Sequence, residues 1–398
     1  MGAMSDTAVG ANAERSRRHN RQVLLGQVRA AGRIGRAEIA RASGLSTQAV
    51  SNIIANLLDD GLIMEQGRHT AGRGLPSVQY VLNPDGGFAL GIDIRPDAVF
   101  AVLLNICGKT VAAERCALQS ADRHSVTTAV IEVRDTIMRV SEIPSARILG
   151  AGVVMPGPFG ATSIRGGVSD LANWDDTPPD QWFSEALDLP VVVENDANAA
   201  AIAERISGVA QGLETYAFVY FGNGIGLGTV YNGKLMAGAY GNAGEIGHML
   251  VPYGGQIVPL ESVVSRLSVR HALQMAGIKA DSGVDLERLY AARNPTLLGW
   301  LDAAAEPLSA AVAMVENLFD PQAVILGGAM PDALLDHLLG AVRLPDTSVS
   351  NRADRVNPRL LRGASGRMTA TLGAAALVIN QVFTPKIAVQ SQELRCPQ

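Results

Sequence analysis

The sequence predicts an α/β protein in which a small helical region precedes a larger α/β body. The chain has 398 residues, 47% hydrophobic and 18% charged, which is more than one ordinary core accommodates. Apolar residues follow helical spacing over residues 21–62, and strand-like runs alternate with alanine-rich helical stretches beyond residue 88. The 42 glycines and 5% aromatic residues indicate many tight turns and close backbone approaches, as in α/β proteins with small-ligand clefts.

Composition also excludes several classes of protein. No run of about 18 uncharged apolar residues is present, and the first ten residues lack the basic and apolar regions of a secretory signal, so we expect a cytoplasmic protein without a membrane partner. Cys107, Cys116 and Cys396 form an odd set without a CxxC pair. This argues against a disulfide framework and a cysteine-rich metal site.

Charge is distributed unevenly along the chain. Residues 1–85 contain ten Arg and seven Asp or Glu, whereas the remainder contains 23 basic and 31 acidic residues. A basic N-terminal region suggests an anionic partner for that region alone.

The N-terminal region has the pattern of a helix-turn-helix unit. Apolar residues at i, i+3, i+4, i+7 and i+8 from Val50 give its third helix one buried stripe, with Ser46 as N-cap and Gly61 as a C-terminal stop. The tight turn over residues 42–46 separates this helix from the one before it. The predicted DNA-binding residues on this helix are Ser46, Thr47, Gln48, Ser51 and Asn52, whose side chains suit base edges or phosphates.

Two strands predicted at 62–65 and 77–82 flank residues 66–76 and form a wing. Its tip contains Arg68 and Arg73, and Arg73 lies between two glycines, thin enough to enter a minor groove. The alternative is a small helical packing domain with a basic surface. We expect a flexible tail over 1–20, a winged helix-turn-helix domain over 21–82 and a linker over 83–87.

The body is predicted to begin with two strands, 88–93 and 99–105, joined by a turn at Pro96. Further strands are predicted at 148–155, 191–194, 216–221, 226–231 and 323–326, and helices at 197–207 and 301–318. Asn195 and Asp196 follow a strand, which places an amide and a carboxylate at the mouth of a cleft that suits polyhydroxylated ligands.

Six segments in order make the sequence resemble the ROK family (repressor, open reading frame, kinase). They are 152–158 (GVVMPGP), 194–200 (ENDANAA), 222–228 (GNGIGLG), 244–248 (GEIGH), 320–328 (DPQAVILGG) and 372–376 (LGAAA). The resemblance implies an actin-like, hexokinase-type, two-lobed ROK domain over 88–398, with its cleft near 195–261, behind the winged helix-turn-helix. It also implies that the sugar pocket is lined by Asn195, Asp196, Glu245, His248 and Glu261, and that Asp196 matches the catalytic base of ROK kinases.

The sequence departs from the kinases of this family at the first phosphate loop. They have Asp-x-Gly-Gly-Thr there, whereas this chain has DIRPD at 93–97. Proline removes an N–H, and large side chains fill the space that the ATP phosphates need. We therefore expect no catalytic residues, no cofactor and no enzyme activity, because phosphoryl transfer depends on positioning and charge neutralisation.

A second departure concerns metal. Members of the family follow the His of GEIGH with a Cys-x-Cys-x4-Cys cluster, but residues 249–260 (MLVPYGGQIVPL) contain no cysteine. We expect no metal site, and packing by Val251, Ile257, Val258 and Leu260 instead.

The sequence thus predicts a sugar-responsive DNA-binding regulator, by family habit a repressor of carbohydrate metabolism genes. Its expected partners are an operator duplex, a sugar or sugar phosphate effector, and further copies of itself in a homodimer or tetramer. An active sugar kinase with a DNA-binding domain and a ligand-independent regulator controlled by a protein partner are the alternatives.

Overall fold

A computed structural model describes residues 6–69, 77–157, 178–280, 282–364 and 366–383. The chain divides into two units. The first comprises residues 1–88, 105–109 and 378–398, and the second comprises 89–104 and 110–377. The division near residue 88 matches the boundary expected from the sequence, whereas the assignment of 105–109 and the C-terminal residues to the first unit was not anticipated.

The first unit begins with three helices and a small sheet. Its elements are α1 Asp6–Ala31, β1 Ile34–Gly35, α2 Arg36–Ser43, α3 Thr47–Asp59, β2 Ile63–His69 and β3 Ser77–Leu82. The strands form an antiparallel sheet in the order β1-β3-β2, with Ile63 opposite Leu82. Apolar side chains from all three helices and the sheet are buried, among them Leu24, Ile39, Ile54, Leu57 and Tyr80. This is the predicted winged helix-turn-helix.

One expectation for the first unit requires correction, and the predicted linker has a defined structure. Helix α1 begins at Asp6, so most of the predicted flexible tail over 1–20 is helical, as its Ala, Glu and Arg content favours. The predicted linker over 83–87 is a hydrogen-bonded turn, in which Asn83 N–H donates to the Leu62 carbonyl and Gly87 accepts from Ile106 N–H. Asn83 also donates from its side chain to the Gly61 carbonyl.

Residues near the C-terminus complete the first unit. Gln22 donates from its side-chain amide to the carbonyl of Gln381 at 2.7 Å, and the Arg29 guanidinium lies 4.7 Å from the ring centre of Phe383. These contacts explain why residues 378–383 group with the N-terminal helices, which no local sequence pattern indicates.

The second unit contains two five-stranded sheets. The first sheet has the order β6-β5-β4-β7-β8 and the second β11-β10-β9-β14-β15. The strands of the first sheet are β4 Phe88–Arg95, β5 Ala98–Asn105, β6 Thr110–Ala117, β7 Ile148–Met155 and β8 Val191–Asn195. Those of the second are β9 Tyr216–Phe221, β10 Ile225–Tyr231, β11 Lys234–Leu235, β14 Val324–Gly328 and β15 Leu360–Arg362, and β12 Leu250–Tyr253 pairs with β13 Gln256–Pro259 in a separate hairpin.

Helices cover these sheets, as in a two-lobed α/β protein. They are α4 Arg123–Ser141, α5 Pro179–Leu187, α6 Asp196–Ser207, α7 Arg266–Met275, α8 Gly283–Ala291, α9 Pro295–Phe319, α10 Asp332–Ala341 and α11 Thr369–Phe383. Helix α9 is long and apolar enough to cross a membrane by length and composition, but its apolar residues pack in the core beside β9 and β14. The two-lobed α/β architecture predicted from the sequence is confirmed.

Glycines in strand β10 and helix α11 allow close packing against helix α6. A Cβ on Gly228 would collide with the Ala197 carbonyl of α6, and one on Gly373 would collide with the Ala199 carbonyl. These contacts account physically for the glycines in two of the six segments, and they fix the position of α6 and of Asp196 at its first residue.

Candidate functional site

The five predicted pocket residues line a single cavity in the second unit. The cavity has a volume of about 950 Å³. Asn195 ends β8 and Asp196 begins α6, while Glu245, His248 and Glu261 come from two short 3-10 helices, Ile246–His248 and Leu260–Ser262. Residues distant in sequence thus place their polar groups on one surface.

Asn195 also has a structural role at this site. Its side-chain oxygen caps α6 by accepting from Asn198 N–H at 2.7 Å. The side chain is almost fully buried, at 6% exposure. Because the oxygen is used by the helix, the amide nitrogen is the group of Asn195 that is suited to donate to a ligand.

Asp196 is held in an environment that opposes its charge. Burial, together with the nearby carboxylates of Asp93 and Glu245, raises the pKa of Asp196 to about 7, although a hydrogen bond from Ala197 N–H and the charge of Arg95 act in the opposite direction. A carboxyl group with this pKa is protonated in part of the molecules at neutral pH. It donates a hydrogen bond when protonated and only accepts hydrogen bonds when ionised.

His248 lies between two carboxylates. Its Nε2 is 3.9 Å from Glu245 Oε2 and its Nδ1 is 3.8 Å from Glu261 Oε1. Both distances exceed a hydrogen bond, so the ring nitrogens of His248 and the two carboxylates are not bonded to each other and can bind a ligand hydroxyl placed beside them. Burial raises the pKa of Glu245, which His248 partly offsets and Glu261 reinforces.

The glycine-rich segment 222–228 makes room for these carboxylates. A Cβ on Gly224 would lie 2.7 Å from Glu261 Oε2, and one on Gly222 would lie 3.1 Å from Asp196 Oδ2. Gly157 has the same relation to Glu245, at 2.9 Å from Oε1. The segment 222–228 therefore lines the cleft with backbone.

Side chains occupy the position of the kinase phosphate loop. Arg95 donates to Asp93 and also to the carbonyl of Arg367 at 2.8 Å. Its guanidinium lies 4.3 Å from the ring centre of Phe100, and Thr371 donates to the same Asp93 oxygen at 3.0 Å. Burial opposes the charge on Arg95, but Asp93 overrides it and the pKa of Arg95 is raised. The Arg95 guanidinium therefore remains charged.

The cavity also contains residues that the sequence did not reveal. Arg266, Arg270 and Arg367 line it, as does Tyr220, whose pKa is raised by burial and by Asp196. Nothing in the local sequence distinguishes these three arginines from surface arginines. Only the packing of α7 and of residues 366–368 places them in the cleft.

The segment after His248 forms the β12–β13 hairpin. Val251 and Leu260 are buried and Val258 packs against the core, but Ile257 is 65% exposed, so its predicted packing role is wrong. Alternation along the strand turns its side chain away from the core that Val258 contacts. Within the described ranges, no three His, Cys, Asp or Glu side chains are grouped as a metal site requires.

In the first unit, α3 presents the predicted polar residues. Ser46 accepts from Ala49 N–H at 3.2 Å as the N-cap of α3, which gives this residue a structural role. Thr47, Gln48 and Asn52 are exposed, and Gln48 donates to the Asn52 side chain at 3.2 Å. Ser51 is half-buried, and its hydroxyl donates to the Thr47 carbonyl at 2.8 Å.

The wing strands β2 and β3 are present, and Arg68 lies in β2. Arg73 and the rest of the wing tip lie outside the described residues, as do Pro158 and Cys396.

Comparison with known proteins assigns the family. The ROK family model matches residues 89–381, and a winged helix-turn-helix DNA-binding model matches 17–64. The chain belongs to the ROK family. Among its ROK relatives, the xylose repressor of Bacillus spizizenii is 26% identical over 373 residues, covering 90% of this chain and 94% of the repressor.

Two solved ROK structures are also similar. A ROK family transcriptional regulator, described as a homologue of the E. coli MLC protein, has a TM-score of 0.72 at 20% identity and covers 93% of this chain and 97% of its own. The ROK hexokinase of Thermus thermophilus has a TM-score of 0.58 at 27% identity, over 75% of this chain and all of its own. The hexokinase match lacks a quarter of this chain, whereas the regulator match covers nearly all of it.

Proposed function

We propose that this ROK protein is a sugar-responsive DNA-binding transcriptional regulator, a repressor of carbohydrate metabolism genes. The observation that carries the proposal is the convergence of the five predicted pocket residues on one cavity in a chain with a winged helix-turn-helix. The xylose repressor, similar over nearly the whole length of both chains, supports the same function.

In this proposal the sugar hydroxyls bind to Asn195, Asp196, Glu245, His248 and Glu261. Asn195 donates from its amide nitrogen, and the carboxylates accept hydroxyl protons. His248 serves as donor or acceptor according to its tautomer, and its distances from both glutamates exceed a hydrogen bond, so its ring nitrogens can bind a ligand hydroxyl. Mixed donors and acceptors in a concave site are the features that polyhydroxylated ligands require.

We infer that the sugar is bound without being phosphorylated. The Asp93–Arg95 ion pair and Pro96 stand where the kinases of the family have glycines, and the space for a polyphosphate is reduced accordingly. The protein then requires no cofactor, and its cleft has no catalytic residue.

An active sugar kinase is the second candidate. Asp196 favours it, because a carboxylate with a pKa of about 7 has the basicity of a general base at neutral pH. The hexokinase of Thermus thermophilus is also similar to this chain. The Asp93–Arg95 pair argues against this candidate, since a positioned base without bound ATP does not transfer phosphate.

DNA binding is assigned to α3 and the wing. Thr47, Gln48, Ser51 and Asn52 at the start of α3 are proposed to contact base edges and phosphates, with Ser46 holding the helix terminus. Arg68 and Arg73 of the wing are proposed to contact the phosphates and the minor groove. A homodimer or tetramer in the cytoplasm would bind a pseudo-palindromic operator.

Selection of binding sites from random duplex DNA, followed by titration of the selected site with a panel of sugars and sugar phosphates, tests the proposal. An enriched operator whose affinity changes with one member of the panel supports it. An operator that responds to no member, with no binding by calorimetry, supports the ligand-independent regulator instead.

A further inference from the structure

The acidic and the basic side chains of the cleft form two separate clusters. Asp196 has Asp93 and Glu245 among its strongest electrostatic neighbours, and Glu245 has Glu261 and His248. Arg266 has Arg95, Arg367 and Arg270, together with the Tyr220 phenol. The cavity therefore has an acidic region around the proposed sugar site and a basic region around Arg266.

Among the described residues, Arg266 has no carboxylate that neutralises its charge. Across the part of the chain that the structure describes, no carboxylate forms an ion pair with Arg266 or with Arg367. The Nε of Arg266 is buried and has no hydrogen-bond partner there. Burial lowers the pKa of Arg266, and repulsion from the three neighbouring guanidiniums lowers it further.

The position of Arg266 in its helix is also unfavourable for a positive charge. It is the first residue of α7, after the N-cap Ser265, where the helix dipole disfavours a positive charge. Ser265 caps the helix without help from Arg266, accepting from Ser268 N–H at 3.0 Å. Neither helix capping nor charge pairing within the described residues explains an arginine at this position, but an anionic ligand would satisfy both its charge and its Nε.

We propose that the ligand of this cleft is an anionic sugar, whose phosphate ester or carboxylate is bound by Arg266, with Arg367 and Arg95 adjacent. This inference rests on the proposed sugar-binding function and specifies its ligand class. The sugar ring lies among the five pocket residues, and its anionic group lies where Arg95 and Arg367 meet, linked by the 2.8 Å hydrogen bond. Arg95 is already paired with Asp93, so Arg266 and Arg367 supply most of the charge for the anion.

Calorimetry on the full chain tests this ligand class. The probes are glucose 6-phosphate, mannose 6-phosphate and N-acetylglucosamine 6-phosphate, the corresponding uronates, the parent neutral sugars, and inorganic phosphate. We expect one phosphate ester or one uronate to bind at least about tenfold more tightly than its parent sugar. The comparison of esters with uronates identifies the source of the negative charge.

Substitutions at three arginines test whether the preference for anionic sugars depends on Arg266 and Arg367. Arg266→Gln should remove most of the tenfold preference while changing the affinity for the parent sugar less than about twofold, and Arg288→Gln, on the exposed face of α8, should leave both affinities unchanged. If Arg266→Gln does not fold, Arg367→Gln, whose side chain is exposed, should reduce the same preference at least about threefold.

Neutral sugars that bind as tightly as the anionic ones would overturn the inference. A preference for the anionic sugar that survives both Arg266→Gln and Arg367→Gln would also overturn it. If a neutral sugar alone binds and Asp196→Asn weakens it, the proposed function stands and only the anionic ligand is wrong. If no probe of any class binds or alters DNA affinity, both fail.

Discussion

Arg95 donates two hydrogen bonds to the same oxygen of Asp93, from its terminal nitrogen at 2.7 Å and from Nε at 3.0 Å. This ion pair lies in residues 93–97, where the sequence departs from the Asp-x-Gly-Gly-Thr of the ROK kinases. Thr371 donates to the same carboxylate oxygen from another element, so the arrangement is held by three side chains. A loop built in this way stabilises itself and needs no phosphate to complete it.

The first prediction follows from that loop. A coupled assay with ATP and a panel of hexoses should detect no sugar-dependent turnover, whereas sugar kinases typically reach about 1 to 100 per second. A ROK glucokinase in the same assay provides the positive control. Turnover in the ordinary range that disappears in Asp196→Asn would establish the kinase alternative.

The second prediction concerns the pH dependence of stability through Asp196. Its pKa rises from 3.8 to about 7 on folding, so between these values the folded protein binds the extra proton. The stability that this group contributes is therefore full below pH 4 and lost as the pH rises towards 7. Asp196→Asn has no such dependence, and its melting temperature should exceed that of the wild type at pH 8 and approach it near pH 4.

Melting curves from pH 4 to pH 8 measure the difference, which amounts to about 2 to 4 °C for each kcal/mol in large domains. Asp180→Asn on the protein surface is the control and should show no such trend. Parallel curves for the wild type and Asp196→Asn at every pH would mean that folding does not raise the pKa of Asp196.

The third prediction tests α3. Gln48→Ala and Asn52→Ala should each relax base preference at one or two operator positions, at a cost of about 1 to 3 kcal/mol for the preferred site. Asn56→Ala, one turn further from the helix N-terminus, should change the preference less. Site selection with each variant measures this, and identical selected sequences from all of them would exclude α3 as the element that reads bases.

The fourth prediction is that the β12–β13 hairpin is stabilised by packing and not by zinc. Val251→Ala should lower the free energy of unfolding by about 1 to 3 kcal/mol, whereas Ile257→Ala, at 65% exposure, should have little effect. Chelator should leave the melting temperature unchanged. One zinc per chain by elemental analysis, with a large fall in melting temperature on chelation, would reverse the conclusion.

The sequence predicted the local elements well because their signals are local. The strand Ile148–Met155 has the predicted bounds, and the Ser46 cap of α3 lies where predicted. The convergence of Asp196, Glu245 and Glu261 was anticipated only through resemblance, since 65 residues separate Asp196 from Glu261.

What the sequence could not supply depends on tertiary packing. The role of Arg266 is set by where α7 packs and by arginines up to 171 residues away. The exposure of Ile257 depends on which face of the β12–β13 hairpin packs against the core. The grouping of residues 378–383 with the first unit depends on contacts such as that of Gln22 with Gln381. None of these three features produces a periodic or compositional pattern in the sequence.

Measurement of the operator affinity of the full chain across the sugar panel tests the proposal that a ligand in the cleft controls DNA binding. We expect one sugar or sugar phosphate to change that affinity by about fivefold or more, and Asp196→Asn to abolish the change without altering affinity in the absence of ligand. An equal response in the wild type and in Asp196→Asn, or no response to any member of the panel, would contradict it.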